Sequence, residues 1–225
     1  MKVKLVFSGV LRRIGLLGVM SLFWCSVASA AGDETAVQHL SQLLKPLTTY
    51  QADFEQTLFS AQGQTLQNVK GELKAKRPGL FYWHTQAPME QTVVTDGQRV
   101  WIHDPDLEQV TIQTLAQQLS ATPALLLSGE IGRIEEAYDV SYANPQPGQP
   151  VTPDFMLKPR GTDSLFQWLT LHFANDTLYA MSLVDSLGQK TLLRFDNPKK
   201  NPELADSVFQ FTIPPGADVI EQTAQ

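Results

Sequence analysis

Cysteine and charge are both scarce in this chain, and each scarcity narrows its chemistry. A single cysteine, Cys25, in 225 residues excludes an internal disulfide and any cysteine-built metal site. Charged side chains make up 18% of the total, and the 17 basic ones are outnumbered by 23 acidic ones, for a formal charge of −6. That balance offers no generic grip on a polyphosphate and argues against a nucleic-acid partner. Beyond residue 30, no uncharged apolar run approaches the ~20 residues that a membrane-crossing helix needs. Signature motifs are missing as well. There is no Gly-x-Ser-x-Gly elbow, no His-Glu-x-x-His, no Gly-x-x-x-x-Gly-Lys-Ser/Thr loop and no Gly-x-Gly-x-x-Gly, so neither a cofactor nor a metal is implied.

What is present begins with an export signal. Lys2, Lys4, Arg12 and Arg13 open the chain without an acid among them, Ile14 to Val27 is apolar, and Ala28-Ser29-Ala30 follows. This is the order of a secretory signal peptide over residues 1–30, with cleavage expected after Ala30, leaving 31–225 as a single domain. The apolar stretch is too short for a membrane anchor. Cys25 falls inside the signal, so the exported chain would carry no thiol. As a lipid attachment point Cys25 is poorly placed, because Phe23 and Trp24 stand where bacterial lipidation wants small residues. A soluble product in an exported aqueous compartment is the expectation.

The working domain opens with helical spacing at Ala36, Val37, Leu40, Leu43, Leu44 and Leu47, with Asp33 available as an N-cap. After Pro46 the period drops to two, and Tyr50, Ala52 and Phe54 alternate with polar neighbours as in a half-buried strand. Further strands are expected at Val69–Ala75, Leu80–Thr85, Gln91–Thr95, Arg99–His103 and Glu108–Gln113. A second helical stretch from about Thr114 to Ser128 interrupts them, with Thr122 and Pro123 as N-cap and first residue. Strands resume at Tyr138–Tyr142, and after a Pro-Gly loop over Asn144–Pro153 continue at Phe155–Leu157, Leu165–Phe173, Leu178–Val184, Lys190–Phe195 and Val208–Ile213. Ten or eleven short antiparallel strands in one domain imply a strongly curved sheet or barrel, with helices over its mouth or concave face. Leu80 and Tyr82 oppose Phe81 and Trp83, and two apolar faces require two covering layers or a cavity.

Catalytic constellations are not legible. His39, His84, His103 and His172 are scattered, with no evident nucleophile beside any of them. Asp104, Asp106 and Glu108 read as a solvated turn, and Glu135 and Glu136, taken as strand neighbours, would point to opposite faces. Lys74-Ala75-Lys76-Arg77 reads as a solvated strand edge, except at Arg77. Counting by two, Arg77 shares a face with Gly79, Phe81 and Trp83, which puts a guanidinium at the rim of an aromatic surface. Its cheapest partners are orphan carbonyls at the ends of the two apolar helices. An ordinary surface ion pair is the equally open alternative.

Several ordered segments carry a resemblance. Lys76-Arg77-Pro78-Gly79-Leu80-Phe81-Tyr82-Trp83-His84, the hairpin from Val94 to Trp101, Glu108-Gln109-Val110-Thr111, Thr122-Pro123-Ala124-Leu125-Leu126-Leu127, Phe209-Gln210-Phe211 and the run from Pro215 to Ile220 together resemble the LolA family of periplasmic outer-membrane lipoprotein carriers. The resemblance implies a mainly β fold, an incomplete, unclosed antiparallel β-barrel of about eleven strands with helices forming a lid over an apolar cavity. It implies a periplasmic chaperone and not an enzyme. Its partners would be the acyl chains of outer-membrane lipoproteins, an inner-membrane ABC lipoprotein exporter and an outer-membrane receptor, and the chain would act as a monomer. Carried over by position, Arg77 would latch the lid through Leu44 and Leu127, and Leu40, Leu43, Leu47, Phe54, Phe81, Trp83, Leu125 and Leu126 would line the cavity. Ala124 departs from the pattern, since some members carry a bulky aromatic there. Two alternatives stand beside this reading. A lipid-anchored receptor-type relative would need an acylated cysteine, and a secreted lipid hydrolase would need a nucleophile and base within reach of each other.

Overall fold

A computed structural model describes residues 34–114, 123–129, 131–143, 153–161, 164 and 166–222. The expected signal segment, Asp33, residues 115–122 of the second helical stretch and most of the Asn144–Pro153 loop lie outside the described residues.

Helix α1 (Glu34–Leu44) buries Ala36, Leu40 and Leu44, spaced by four along one face. It ends where Pro46 cannot continue the ladder, and the Leu47 amide turns back to the Leu44 carbonyl at 3.0 Å. The chain then enters β1 (Thr49–Phe59), which pairs with β2 (Thr65–Lys76) through a turn held by the Ser60 hydroxyl. A meander follows: β3 (Leu80–Thr85), β4 (Gln91–Asp96), β5 (Arg99–Asp104) and β6 (Gln109–Thr114). A 3-10 helix (Pro123–Leu127) and α2 (Ile131–Ala137) lead to β7 (Tyr138–Tyr142), β8 (Phe155–Pro159), β9 (Phe166–Ala174), β10 (Thr177–Asp185) and β11 (Lys190–Lys200). A second 3-10 helix (Asp206–Phe209) precedes β12 (Asp218–Glu221).

All twelve strands form one sheet in the order β12-β6-β5-β4-β3-β2-β1-β11-β10-β9-β8-β7. Pairing of β1 with β11 joins the two meanders, and every pairing is antiparallel except that of β12 on β6. Strands β7 and β12 stand at opposite ends of the order, so the barrel is unclosed.

The alternation read from β3 sorts cleanly. Phe81, Trp83 and Thr85 are buried, while Leu80, Tyr82 and His84 are half-buried on the other face. The concave side holds one continuous core in which Tyr50, Phe54, Leu73, Phe81, Leu157 and Leu169 meet Leu40 and Leu44 of α1, Leu127 of the first 3-10 helix and Ile134 of α2. Strand packing here depends on one missing side chain. Gly71 of β2 stands opposite Phe54 of β1, and a Cβ on it would lie 2.6 Å from the Phe54 ring and overlap the His84 carbonyl. The Phe54 ring occupies that notch and stacks on Trp83 at 3.7 Å between centroids.

Two expectations are corrected. Val208–Ile213 is not a strand. Its apolar alternation comes from Phe209, which is buried where the second 3-10 helix packs on β3 and β4, and from Phe211, stacked on Trp101 at 6.3 Å. Those rings cover the convex face, so the second apolar face of β3 has its own layer. Glu135 and Glu136 belong to α2 rather than to a strand, where both are exposed and neighbours in sequence still do not face one another.

Candidate functional site

The short segment from Arg77 to Gly79, between β2 and β3, fastens the helices to the sheet. Arg77 donates from Nη1 to the Leu44 carbonyl at 2.6 Å and from Nε to the Leu127 carbonyl at 3.2 Å. Its own amide donates to the Thr48 carbonyl at 2.9 Å, and the Gly79 amide donates to the Ser128 carbonyl at 2.7 Å. Leu44 and Leu127 are the last residues of α1 and of the first 3-10 helix, and neither helix has a basic side chain in its final turn. One guanidinium therefore supplies both ends with positive charge and a donor, adding a second bond to the Leu44 carbonyl that already accepts the Leu47 amide.

This arrangement is not free of cost. Burial lowers the Arg77 pKa, and Nη2 is buried with no partner among the described residues. Hydrogen bonds to a charged group contribute about 1.5–3 kcal/mol each, while an unsatisfied buried donor costs about as much. The net hold on the helices is modest. Gly79 sustains it by adopting φ +78° and lying so close to Gly97 of the β4–β5 turn that a Cβ would come within 2.8 Å of the Gly97 Cα. At its other face α1 meets β7, where His39 Nδ1 lies 3.1 Å from the Tyr142 hydroxyl and its ring packs edge-on to Phe155.

Beside the packed region beneath the helices lies a hollow of about 520 Å³. Its walls come from β1–β4 and β9–β11 with Ala124 from the first 3-10 helix, and its mouth carries Glu90, Asp104 and Asp106. Of the residues expected at the cavity, Trp83 lines this hollow. Leu40, Phe54 and Phe81 are in the sealed core under the helices. Leu43 and Leu47 border a separate recess of about 250 Å³ near Lys200 and Asn201, Leu126 is half-buried, and the Leu125 side chain lies outside the described residues. Val93, Met181, Leu183 and Leu193, which also line the hollow, were not singled out from sequence. They come from three strands, β4, β10 and β11, whose faces only the sheet order brings together.

Three histidines have a hydroxyl in reach, His39 at Tyr142, His84 at Thr92 and His172 at Ser182, and His172 has a carboxylate as well. His172 Nε2 lies 3.0 Å from Ser182 Oγ, and its Nδ1 lies 2.9 Å from Asp154 Oδ2. His172 is on β9, Ser182 on β10 and Asp154 just before β8. His172 and Ser182 alternate with the inward-facing Leu171, Phe173 and Met181, which puts the trio on the convex face. Ser182 pairs with Thr170 on one side and Leu192 on the other, so the neighbouring amides lie in the sheet plane and cannot gather round an oxyanion. The constellation is a cross-strand polar row. No group of three or more metal-binding side chains occurs among the described residues.

A curved sheet with an apolar concavity, roofed by helices that one arginine holds through main-chain carbonyls, defines a binding protein for apolar ligands. Residues 45–212 match the family model of the outer membrane lipoprotein carrier protein LolA. The chain is 55% identical over 208 residues to the outer-membrane lipoprotein carrier protein of Hahella chejuensis, an alignment covering 92% of this chain and 98% of that one. It is 45% identical over 212 residues to the carrier protein of Pseudomonas putida, covering 94% and 100%. The chain belongs to the LolA family. The fold recurs in a solved conserved protein of Thermus thermophilus at a TM-score of 0.52 and 14% identity, covering 84% of this chain and all of that one.

Proposed function

We propose that this protein is a periplasmic chaperone that takes the acyl chains of outer-membrane lipoproteins from an inner-membrane ABC exporter and passes them to an outer-membrane receptor. The observation that carries this reading is the pair of hydrogen bonds from Arg77 to Leu44 and Leu127, which makes the roof of an apolar concavity detachable without unfolding the sheet. Lining and latch are then one site. Leu40, Leu43, Leu47, Phe54, Phe81, Trp83, Leu125 and Leu126 become acyl-contacting when the helices lift, and Arg77 closes them again on the empty protein.

The load explains the design. At ~0.8 kcal/mol per buried CH₂, a few long acyl chains amount to tens of kcal/mol of gross hydrophobic cost in water. They cannot cross an aqueous compartment unshielded. The sequence has no nucleotide-binding loop, so loading draws its work from the exporter, and unloading needs a receptor with a better apolar site. The lid bonds must be weak enough to break on loading and strong enough to favour closure afterwards. The continuous sheet from Thr49 to Glu221 supports one carrier domain over residues 31–225, acting as a monomer after removal of residues 1–30 at Ala30, with no catalytic step.

The deciding experiment is release from spheroplasts. Added protein should bring newly made lipoproteins into the soluble fraction, and their retention on the membrane at saturating protein would refute the carrier reading.

A further inference from the structure

The geometry points to a second, distinct use of the concavity: the hollow beside Trp83 holds one alkyl chain while the helices remain latched, ahead of any lifting of the roof. The inference rests on the carrier reading only in taking alkyl chains as the ligand.

Three observations carry it. First, the hollow exists with Arg77 bonded to both helix ends, whereas the region directly under the helices is filled by Leu40, Leu44, Phe54 and Phe81, each no more than 3% exposed. Space for a chain is therefore present in the closed form, and it lies next to the lid core and not in it. Second, one wall is apolar and the polar lining is grouped apart from it. Val69, Trp83, Val93, Leu169, Met181 and Leu193 are all buried yet face the hollow, while Gln56, Gln67, Gln91 and the acids of the mouth supply its polar side, and an apolar wall beside a few polar groups is the lining of a site for an apolar chain with a polar head. Its volume of about 520 Å³ falls within the ~300–1,000 Å³ of small-molecule sites, too little for the several chains of a full load. Third, Ala124 forms part of the wall from the lid side. A small residue there leaves the space open, and a large one would fill it.

A single chain can thus enter by the mouth at Met89 and Leu107, which are 51% and 67% exposed, without breaking the Arg77 bonds. Further chains find no room until the helices move. Loading becomes stepwise, with the first chain bound to the closed protein and the latch broken only by those that follow.

The mouth carries Glu90, Asp104 and Asp106 with no Lys or Arg among the lining residues, so the suitable probe is an uncharged single-chain lipid, 1-monopalmitoylglycerol. Binding to the protein purified from cells is followed together with hydrogen exchange at the Gly79 amide, whose bond to the Ser128 carbonyl reports whether the helices are down. The expected result is saturable binding with Gly79 protection unchanged, and affinity at least about tenfold weaker in Ala124→Trp. Thr191→Trp, at a half-buried lining position, should act the same way and guards against a misfolded Ala124 variant. Binding that exposes Gly79, or that survives both substitutions, overturns the inference. So does the absence of binding by a protein that still takes up lipoprotein, in which case the carrier reading stands. If neither lipid nor lipoprotein binds, both fall.

Discussion

Arg77 Nη1 lies 2.6 Å from the carbonyl oxygen of Leu44, the last residue of α1, so a side chain from the β2–β3 turn holds the C-terminal end of a helix whose other face packs on β7. The same guanidinium reaches the Leu127 carbonyl through Nε while its third nitrogen is buried without a partner among the described residues. The contact is therefore strong in each bond and weak in sum, which suits a fastening that must be undone repeatedly.

Replacing Arg77 tests this directly. Arg77→Leu should fold, accept lipoprotein and pass it on poorly, because the closed state loses two charge-assisted bonds and the closed–open balance shifts by at least about tenfold. Arg77→Lys should fall between the two, since one ammonium cannot serve both carbonyls in the way a planar guanidinium does. Transfer to receptor-bearing membranes is the measurement, and wild-type transfer by the Leu variant would remove Arg77 from the lid.

Gly71 predicts a stability effect far from the latch. In Gly71→Ala the new methyl meets the Phe54 ring and the His84 carbonyl, and the carbonyl is main chain that cannot rotate away. Overpacking of this kind costs about 1–3 kcal/mol or more. The denaturant midpoint should drop accordingly, together with a change in the near-ultraviolet signal of the Phe54–Trp83 stack; an unchanged midpoint would contradict the packing described.

The Ser182–His172–Asp154 row should prove structural. Ser182→Ala is expected to lose about 0.5–1.5 kcal/mol of stability and to leave lipoprotein transfer intact. Hydrolysis of a short-chain nitrophenyl ester by the wild type should not exceed that by the variant. Turnover that disappears with Ser182 would instead establish an esterase on the convex face.

Alkaline pH offers a further test. The Tyr50 hydroxyl donates to the Leu178 carbonyl at 2.7 Å inside the core, and burial pushes its pKa far above the ordinary tyrosine value. Burial raises Tyr82 and Tyr138 in the same direction. A phenol that ionises less readily folded than unfolded contributes stability that is complete below the unfolded value near ~10 and is lost as pH rises beyond it. Denaturation midpoints should fall between pH 9 and 11, and Tyr50→Phe should flatten that fall while lowering stability by about 1 kcal/mol at neutral pH.

Short strands bounded by turn residues were the most legible elements. Leu80–Thr85, apolar on both faces, and Tyr138–Tyr142, where Tyr and Val alternate with Asp and Ser, have in the structure the bounds expected of them. Counting by two from Trp83 does not reach Arg77, because residues 77–79 form a turn with Gly79 at φ +78°, and it is that turn that aims the guanidinium at the helix ends. Tertiary contacts hid the rest. Phe209 and Phe211 alternate as a strand would, but they do so because they are anchors on the convex face. The four residues of β12 are all exposed, so no burial pattern marks them. The Gly79–Ser128 bond joins backbone to backbone and leaves no trace in side-chain identity. His172 finds Asp154 and Ser182 only because β8, β9 and β10 are neighbours.

Because β7 and β12 end the sheet without meeting, no ladder of hydrogen bonds between them fixes the girth of the bowl. In a sealed barrel, strand number and shear dictate the diameter, and a guest must suit that bore. Here that closure is missing, and the helices do the bridging instead: α1 packs on β7 at one margin and is tied through Arg77 to the β2–β3 turn in the middle of the sheet.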